Sequence, residues 1–426
     1  MTHLTVDPSG THLLRDGAFL PLIIDTAWSS FADPTADEWR TYLAARRRQG
    51  FTCVLVSVLP IPHDRDERPG AREPFALDDE GHLDFSRLDD GFFAEAREFT
   101  RIAHEEYGLR LMIAVLWNNY LPGTWGAALT PHAVMPDGAR RAYVARVAAT
   151  FADLDPIFAV GGDDHYTVPG ANAGYLEAIA RLREAAPHCL LTTHSAPNTV
   201  LPEEIADGLD LFLHQSGHNV ENQELAWRQP AQYLAREPRK PLIASEPPYE
   251  QHGKVNGHGR WSREETRCAS WTSVLAGATA GIGYGAHGMW MWHSPSGDFQ
   301  ARGPSLEPFH WPDALGFPGA LDISLMAWLF AEHRLDRLRP AQELLADGPG
   351  ERFRLAASAG GDLVALYQPY GRDAEVLLDL SGHRLYAWDL AERAPLTVDA
   401  VAAGGRTRLR QLTSRSDQLV IARRGS

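Results

Sequence analysis

Two short carboxylate motifs hold the most chemistry in this chain: Gly161, Gly162, Asp163, Asp164, and Ser245, Glu246, Pro247, Pro248, Tyr249, Glu250. Each closes an apolar run that reads as a buried strand. Two acids brought from the ends of separate strands onto one face are what acid/base and nucleophilic cleavage of a glycosidic bond requires. Asp163 and Asp164 compete for one role, because neighbouring residues on a strand point to opposite sides. The plainer reading of Asp163 is a turn residue capping the next helix. Glu246 ends the run Leu242, Ile243, Ala244, Ser245, where a carboxylate is costly to bury without a role or a partner. Its plainer reading is a salt bridge across the mouth of the fold. Tyr249 and Glu250 follow at a spacing suited to orienting Glu246.

Further polar and aromatic groups close other apolar runs. Asp25 precedes Thr26, Ala27 and Trp28, an acid beside an aromatic platform, as sugar hydroxyls and C–H faces prefer; an N-cap to a short turn is the alternative. Trp117 and Asn118 end a third run, His165 follows Asp164, and His194 ends a fifth run. His218 follows a sixth, and His287, Trp290 and Trp292 an eighth. So many histidines raise the question of a metal, but no His-x-His pair lies on the first strand and no His-Glu-x-x-His helix is present. Neutral histidine also donates hydrogen bonds to sugars, so neither a metal nor another cofactor is expected.

The elements that must position these residues follow the pattern of parallel βα units from Pro21 to about Phe330. Strands are predicted over Pro21–Ala27, Thr52–Leu59, Arg110–Trp117, Ile157–Gly162, Leu190–His194, Leu209–Gln215, Leu242–Ser245 and Ile282–Trp290. Helices are predicted over Thr35–Gln49, Phe92–Tyr107, Ala139–Phe151, Tyr175–Ala186 and Glu264–Ala280. About eight such units make an α/β (β/α)8 TIM barrel. The longest loops, Pro60–Ser86, Asn118–Gly138 and His293–Pro318, fall on the side where barrels build pockets. After Pro340 short alternating segments, Arg352–Ala356, Leu363–Gln368, Glu375–Asp379 and Leu419–Ala422, predict a small all-β, sandwich-like module. The expected division is residues 1–20 as an N-terminal β-hairpin turning at Asp16 and Gly17, 21–338 as the barrel, and 339–426 as the β-domain.

The chain has 426 residues, 44% hydrophobic and 22% charged, enough for a barrel and a smaller domain. A formal charge of −15, from 55 acidic against 40 basic residues, argues against nucleic acid and anionic membranes as partners. Lysine occurs only at Lys240 and Lys254, which disfavours Schiff-base chemistry. Cys53, Cys189 and Cys268 read as reduced core residues, and the polar start Met1–Gly10 reads as a cytoplasmic enzyme. Homo-oligomerisation is left open.

Taken together, these motifs resemble the apiosidase-like glycoside hydrolases, glycoside hydrolase family 140 and its relatives. The resemblance runs through Asp25–Trp28, Gly161–Asp163, Gln215–His218, Glu246 to Glu250, and Tyr284, Gly285, His287 and Trp290. It departs at Ile24, at Asp164 and His165, and at Ala286. The resemblance implies a retaining, exo-acting glycosidase with Asp163 as acid/base and Glu246 as nucleophile. It further implies a terminal sugar such as the pentofuranoses apiose or arabinofuranose as the released group. Two rival readings stand beside it: a metal-dependent sugar isomerase or hydrolase using Asp25, His194, His218 and Glu246 as ligands, and a non-catalytic carbohydrate-binding protein.

Overall fold

The computed structural model describes residues 3–64, 66–68, 70–299, 305–346, 350–410 and 416–425. Eight parallel strands form the barrel: β1 (Leu22–Thr26), β2 (Cys53–Ser57), β3 (Arg110–Trp117), β4 (Ile157–Asp164), β5 (Leu191–Ser195), β6 (Phe212–Gln215), β7 (Leu242–Glu246) and β8 (Gly281–Tyr284). Their order is β5-β4-β3-β2-β1-β8-β7-β6. The ladder is thus continuous except between β5 and β6, where the barrel closes through fewer bonds. The Asp210 amide donates to Leu191 O at 2.8 Å, Thr192 Oγ1 to Leu211 O at 2.9 Å, and Gln215 Nε2 to Ser195 O at 2.8 Å.

Every residue of β3 is buried, which is why the strand reads as an unbroken apolar run: the barrel interior covers one face and helices the other. The strand ends of the sequence reading hold to within a few residues, except for the eighth. Its run to Trp290 stops at Tyr284, because Ala286–Trp290 turns back on itself, with the Met289 amide bonded to Ala286 O at 2.9 Å. Gly288 permits that turn: its φ is +115°, and a Cβ there would lie 2.0 Å from Phe309 O. The turn carries His287 and Trp290 to the barrel mouth side.

One main helix follows each strand: α1 (Ala36–Arg48), α2 (Asp90–Arg101), α3 (Asp137–Phe151), α4 (Pro169–Ala185), α5 (Glu203–Asp207), α6 (Leu225–Leu234), α7 (Arg263–Leu275) and α8 (Gly319–His333). Thr35 and Ser262 start α1 and α7 with reciprocal capping boxes to Glu38 and Glu265, a signature legible in the sequence.

Beneath the barrel, Leu4–Val6, Leu13–Arg15 and Ala18–Phe19 form a small antiparallel sheet whose Leu4 and Leu13 join the main core. Asp16 and Gly17 both have positive φ at its tight turn. Beyond α8, a six-stranded antiparallel sheet (Arg339–Pro340, Arg354–Ala357, Leu363–Gln368, Gln418–Arg424, His383–Asp389, Ala394–Leu396) is accompanied by a three-stranded one. Alternation divides the larger sheet: Leu363, Ala365, Tyr367, Leu419 and Ile421 pack into the barrel's core, whereas Val364, Leu366, Val420 and Ala422 face a second core.

A buried charge network fastens this sheet to α7 and α8. Arg267 reaches Asp417 with Nε at 2.9 Å and Asp322 with Nη1 at 2.7 Å, and Arg263 and Arg393 also bond Asp322. Without Arg267, Asp417 is left buried without its arginine while Asp322 keeps Arg263 and Arg393, and breaking a buried pair in this way costs about 3–5 kcal/mol. Arg267→Ala is therefore expected to lower stability on that scale, measured by denaturant unfolding. An unchanged midpoint would show that the network contributes nothing.

Candidate active site

The C-terminal ends of the barrel strands surround a cavity of about 110 Å³, and every strand or the loop after it contributes to the wall. Trp28 follows β1; Ile61, His63 and Asp64 lie on the loop after β2; Trp117, Asp163 and His194 sit on β3, β4 and β5. His218 follows β6; Glu246, Tyr249 and His252 come from β7 and its loop, and Trp290 from the turn after β8. Trp28 meets Trp117 edge-on at 4.8 Å and His194 at 5.2 Å, making an aromatic wall.

Glu246 is gripped from three sides. Tyr249 Oη donates to Oε2 at 2.5 Å, His194 Nε2 lies 3.2 Å from Oε2, and His218 Nε2 lies 3.2 Å from Oε1. Burial works to raise the pKa of this carboxyl, but the hydrogen bonds and charge of His194 and His218 outweigh it and hold it well below the usual carboxylate range. The Tyr249 ring packs where a Cβ on Gly285 would stand, 2.1 Å from its Cδ1, so glycine at that position makes room for this tyrosine.

Asp163 ends β4 in the left-handed region, φ 51°, a conformation that costs a non-glycine residue energy and persists only where surroundings impose it. Those surroundings are visible: Asn118 Nδ2 and Trp125 Nε1 each donate to Asp163 O at 2.9 Å, and Gln215 Nε2 donates to its Oδ1 at 2.7 Å. Its half-buried carboxyl has a raised pKa, first from desolvation and then from the negative charge of Glu246. Register shifts mark both partners, between Gly162 and Asp164 on β4 and between His214 and Gln215 on β6, as bulges beside functional sites often do. The two glycines before Asp163, which a sharp turn at the strand end would explain, serve another purpose. Neither has positive φ; a Cβ on Gly162 would lie 2.1 Å from the Trp117 ring, and one on Gly161 2.3 Å from Tyr166 Oη. Their role is to admit those aromatic rings.

Asp164 points the other way, accepting from Tyr175 Oη at 2.9 Å and the Tyr166 amide at 3.2 Å, so Asp163 is the member of the pair that lines the cavity. Several residues expected at the sugar lie elsewhere. Asp25 is fully buried and bound by Arg46 Nε at 2.7 Å and Tyr42 Oη at 2.6 Å, an ion pair between β1 and α1 in place of a sugar ligand. Asn118 is spent on the Asp163 backbone, and His165 is exposed, 3.4 Å from Thr199 Oγ1. Glu250 is held by Tyr284 Oη at 2.6 Å and the Gly319 amide at 2.9 Å, tying the β7 loop to α8 without reaching Glu246. His287 stands behind His252, its Nε2 2.6 Å from Leu306 O, and desolvation pushes its pKa down to about 3. Trp292 is buried against Tyr42 and Trp311.

The ligand set proposed for a metal therefore does not converge. Asp25 is turned away from the cavity, and both histidine Nε2 atoms face Glu246 oxygens. Conversely, sequence reasoning missed Ile61, His63, Asp64 and His252. His252 stacks on His218 at 4.2 Å and is kept neutral by burial. These residues come from irregular loops, and only the polar run His63, Asp64 inside the long loop after β2 hinted at them.

Comparison with known proteins gives the chain a family and supports its fold. The family described as "Apiosidase-like, catalytic domain" matches residues 11–336. A solved structure titled "Glycoside hydrolase" superposes with a TM-score of 0.80 at 20% identity, covering 100% of this chain and 97% of that one. A glycoside hydrolase family 5 protein from Bacteroides vulgatus gives 0.79 at 19% identity, covering 99% and 93%. At that identity the two structures speak for the fold alone. No match was found among curated proteins. The family match spans the barrel and all the residues of its mouth, and by it this chain belongs to the apiosidase-like catalytic domains and is a glycoside hydrolase.

Proposed function

We propose that the protein is a retaining, exo-acting glycosidase that removes one terminal sugar by double displacement. The observation that carries this reading is a single pocket lined by both carboxyls, in which Tyr249, His194 and His218 grip Glu246 and favour its anion, while burial and the Glu246 charge push the Asp163 pKa up. Two carboxyls with pKa values pushed apart are the acid/base assignment of such an enzyme. Glu246 attacks the anomeric carbon as Asp163 gives its proton to the leaving oxygen. The Asp163 carboxylate then takes a proton from water, which cleaves the glycosyl ester on Glu246 and restores both groups.

The small cavity, walled by Trp28, Trp117 and Trp290, supports exo action on one ring at a time. Family membership supports a pentofuranoside, apiose or arabinofuranose, as the glycon. The test is hydrolysis of an aryl glycoside panel, pentofuranosides included, with the first-formed anomer followed by NMR. Inversion, or internal oligomers released from a polymer, would contradict the proposal.

The same pair sets the pH profile. Glu246 stays ionised far into acid, whereas loss of the Asp163 proton lowers kcat/KM as pH rises through its raised pKa. His218→Asn removes one donor to Glu246. A hydrogen bond to a charged group contributes about 1.5–3 kcal/mol, so the acidic limb should move up by roughly one pH unit or more. An acidic limb left in place would mean that His218 does not hold Glu246 ionised.

A further inference from the structure

We propose that Asp64, on the loop after β2, binds the hydroxyls of the sugar in the pocket, and that the site thereby takes an uncharged glycon and refuses a uronic acid. This deepens the glycosidase reading and rests on it.

Asp64 lines the same cavity as Asp163 and Glu246, yet its Oδ1 is buried and without a hydrogen-bond partner. A buried carboxylate oxygen left unpaired costs free energy, and native folds leave few such atoms unless something else fills the valence. Asp64 is one of the residues that line the pocket, and the groups a glycoside presents there are hydroxyl donors. The Asp64 amide bonds Ile61 O at 3.2 Å, which fixes the backbone that carries this side chain. Two residues on, Asp66 Oδ2 lies 3.0 Å from His293 Nδ1 and accepts from the Ser294 amide at 3.1 Å. Asp66–Glu67 also pairs as a strand with Asp298–Phe299, so the loops after β2 and β8 form one wall.

Charge completes the argument. Among the described residues no lysine or arginine lines the cavity, and His194 and His218 are already committed to Glu246, so a carboxylate on the substrate would stand beside the Glu246 anion without a cation of its own. Burial pushes the Asp64 pKa up to about 7, against the pull of His218. As a carboxylate Asp64 accepts from sugar hydroxyls, and as the acid it accepts through its carbonyl oxygen and donates through its O–H.

The experiment compares wild type, Asp64→Ala and Asp64→Asn on 4-nitrophenyl glycosides of neutral pentoses and hexoses and on the matching uronides, with melting temperatures as a check on folding. The neutral substrate that turns over is then tested as its singly deoxygenated analogues. The expected result is turnover of neutral glycosides only, a kcat/KM roughly 10- to 100-fold lower in Asp64→Ala, mostly through KM. Asp64→Asn, which keeps the shape of the side chain, should fall in the same direction. One deoxy analogue should cost wild type a similar factor and cost Asp64→Ala nothing further. If both variants match wild type and the deoxy penalty survives in Asp64→Ala, Asp64 does not bind the sugar, although the glycosidase reading stands. Uronides turning over faster than neutral glycosides, or azide restoring kcat to Asp64→Ala, would likewise overturn the proposal, the latter by making Asp64 a proton donor. If wild type hydrolyses none of the panel, the glycosidase reading fails and this inference falls with it.

Discussion

Glu246→Ala is expected to lower kcat by roughly 10³-fold or more, the scale on which loss of an essential catalytic group is felt. The size follows from what Tyr249, His194 and His218 are arranged to do. All three contact this one carboxylate, and nothing else in the cavity is stabilised as an anion in the same way. A nucleophile kept ionised and oriented is the group whose removal leaves the anomeric carbon without an attacker. Mass spectrometry of the wild type treated with a 2-fluoro glycoside should place a covalent sugar on the peptide that contains Glu246, and the Ala variant should remain unlabelled. A label on another residue, or an active Ala variant, would refute a nucleophilic role.

The second large effect is expected at Asp163, and its signature differs. In the proposed mechanism Asp163→Ala removes the proton donor without touching the attacking carboxylate, so the loss should depend on the leaving group. Glycosides of poorly acidic alcohols should lose roughly 10³-fold, whereas those of strongly acidic phenols, which need little protonation to depart, should lose far less. With the acidic phenol, breakdown of the glycosyl-enzyme becomes slow for want of a base, and azide should rescue it by attacking directly. The descending alkaline limb of the pH profile should vanish from this variant. A uniform loss across leaving groups with no azide rescue would assign Asp163 to structure, a role its strained backbone at φ 51° would also fit.

Much of this arrangement was legible before the fold was known, for identifiable reasons. Strands buried on both faces, such as Arg110–Trp117, are written as unbroken apolar runs, and the helices between them carry amphipathic spacing. A carboxylate closing such a run, as Glu246 does, is conspicuous because burial penalises it. The same rule misplaced Asp25. That residue also closes an apolar strand, but its counter-charge, Arg46, arrives from the next helix, and no local pattern marks the pairing. Likewise Glu250 read as a partner of Glu246 until Tyr284 and Gly319 were seen to hold it.

The sequence by itself determined the barrel, the antiparallel sheets that follow it and the strand ends at which an acid pair stands, because periodicity, capping and the cost of burying charge act over short stretches of chain. Only the tertiary structure decided between Asp163 and Asp164, spent Asp25 and Glu250 on ion pairs and hydrogen bonds, and brought Asp64 and His252 into the pocket. Those outcomes depend on which side chain meets which partner across tens to hundreds of residues. Such distances are set by barrel closure and loop packing, to which local sequence rules are blind.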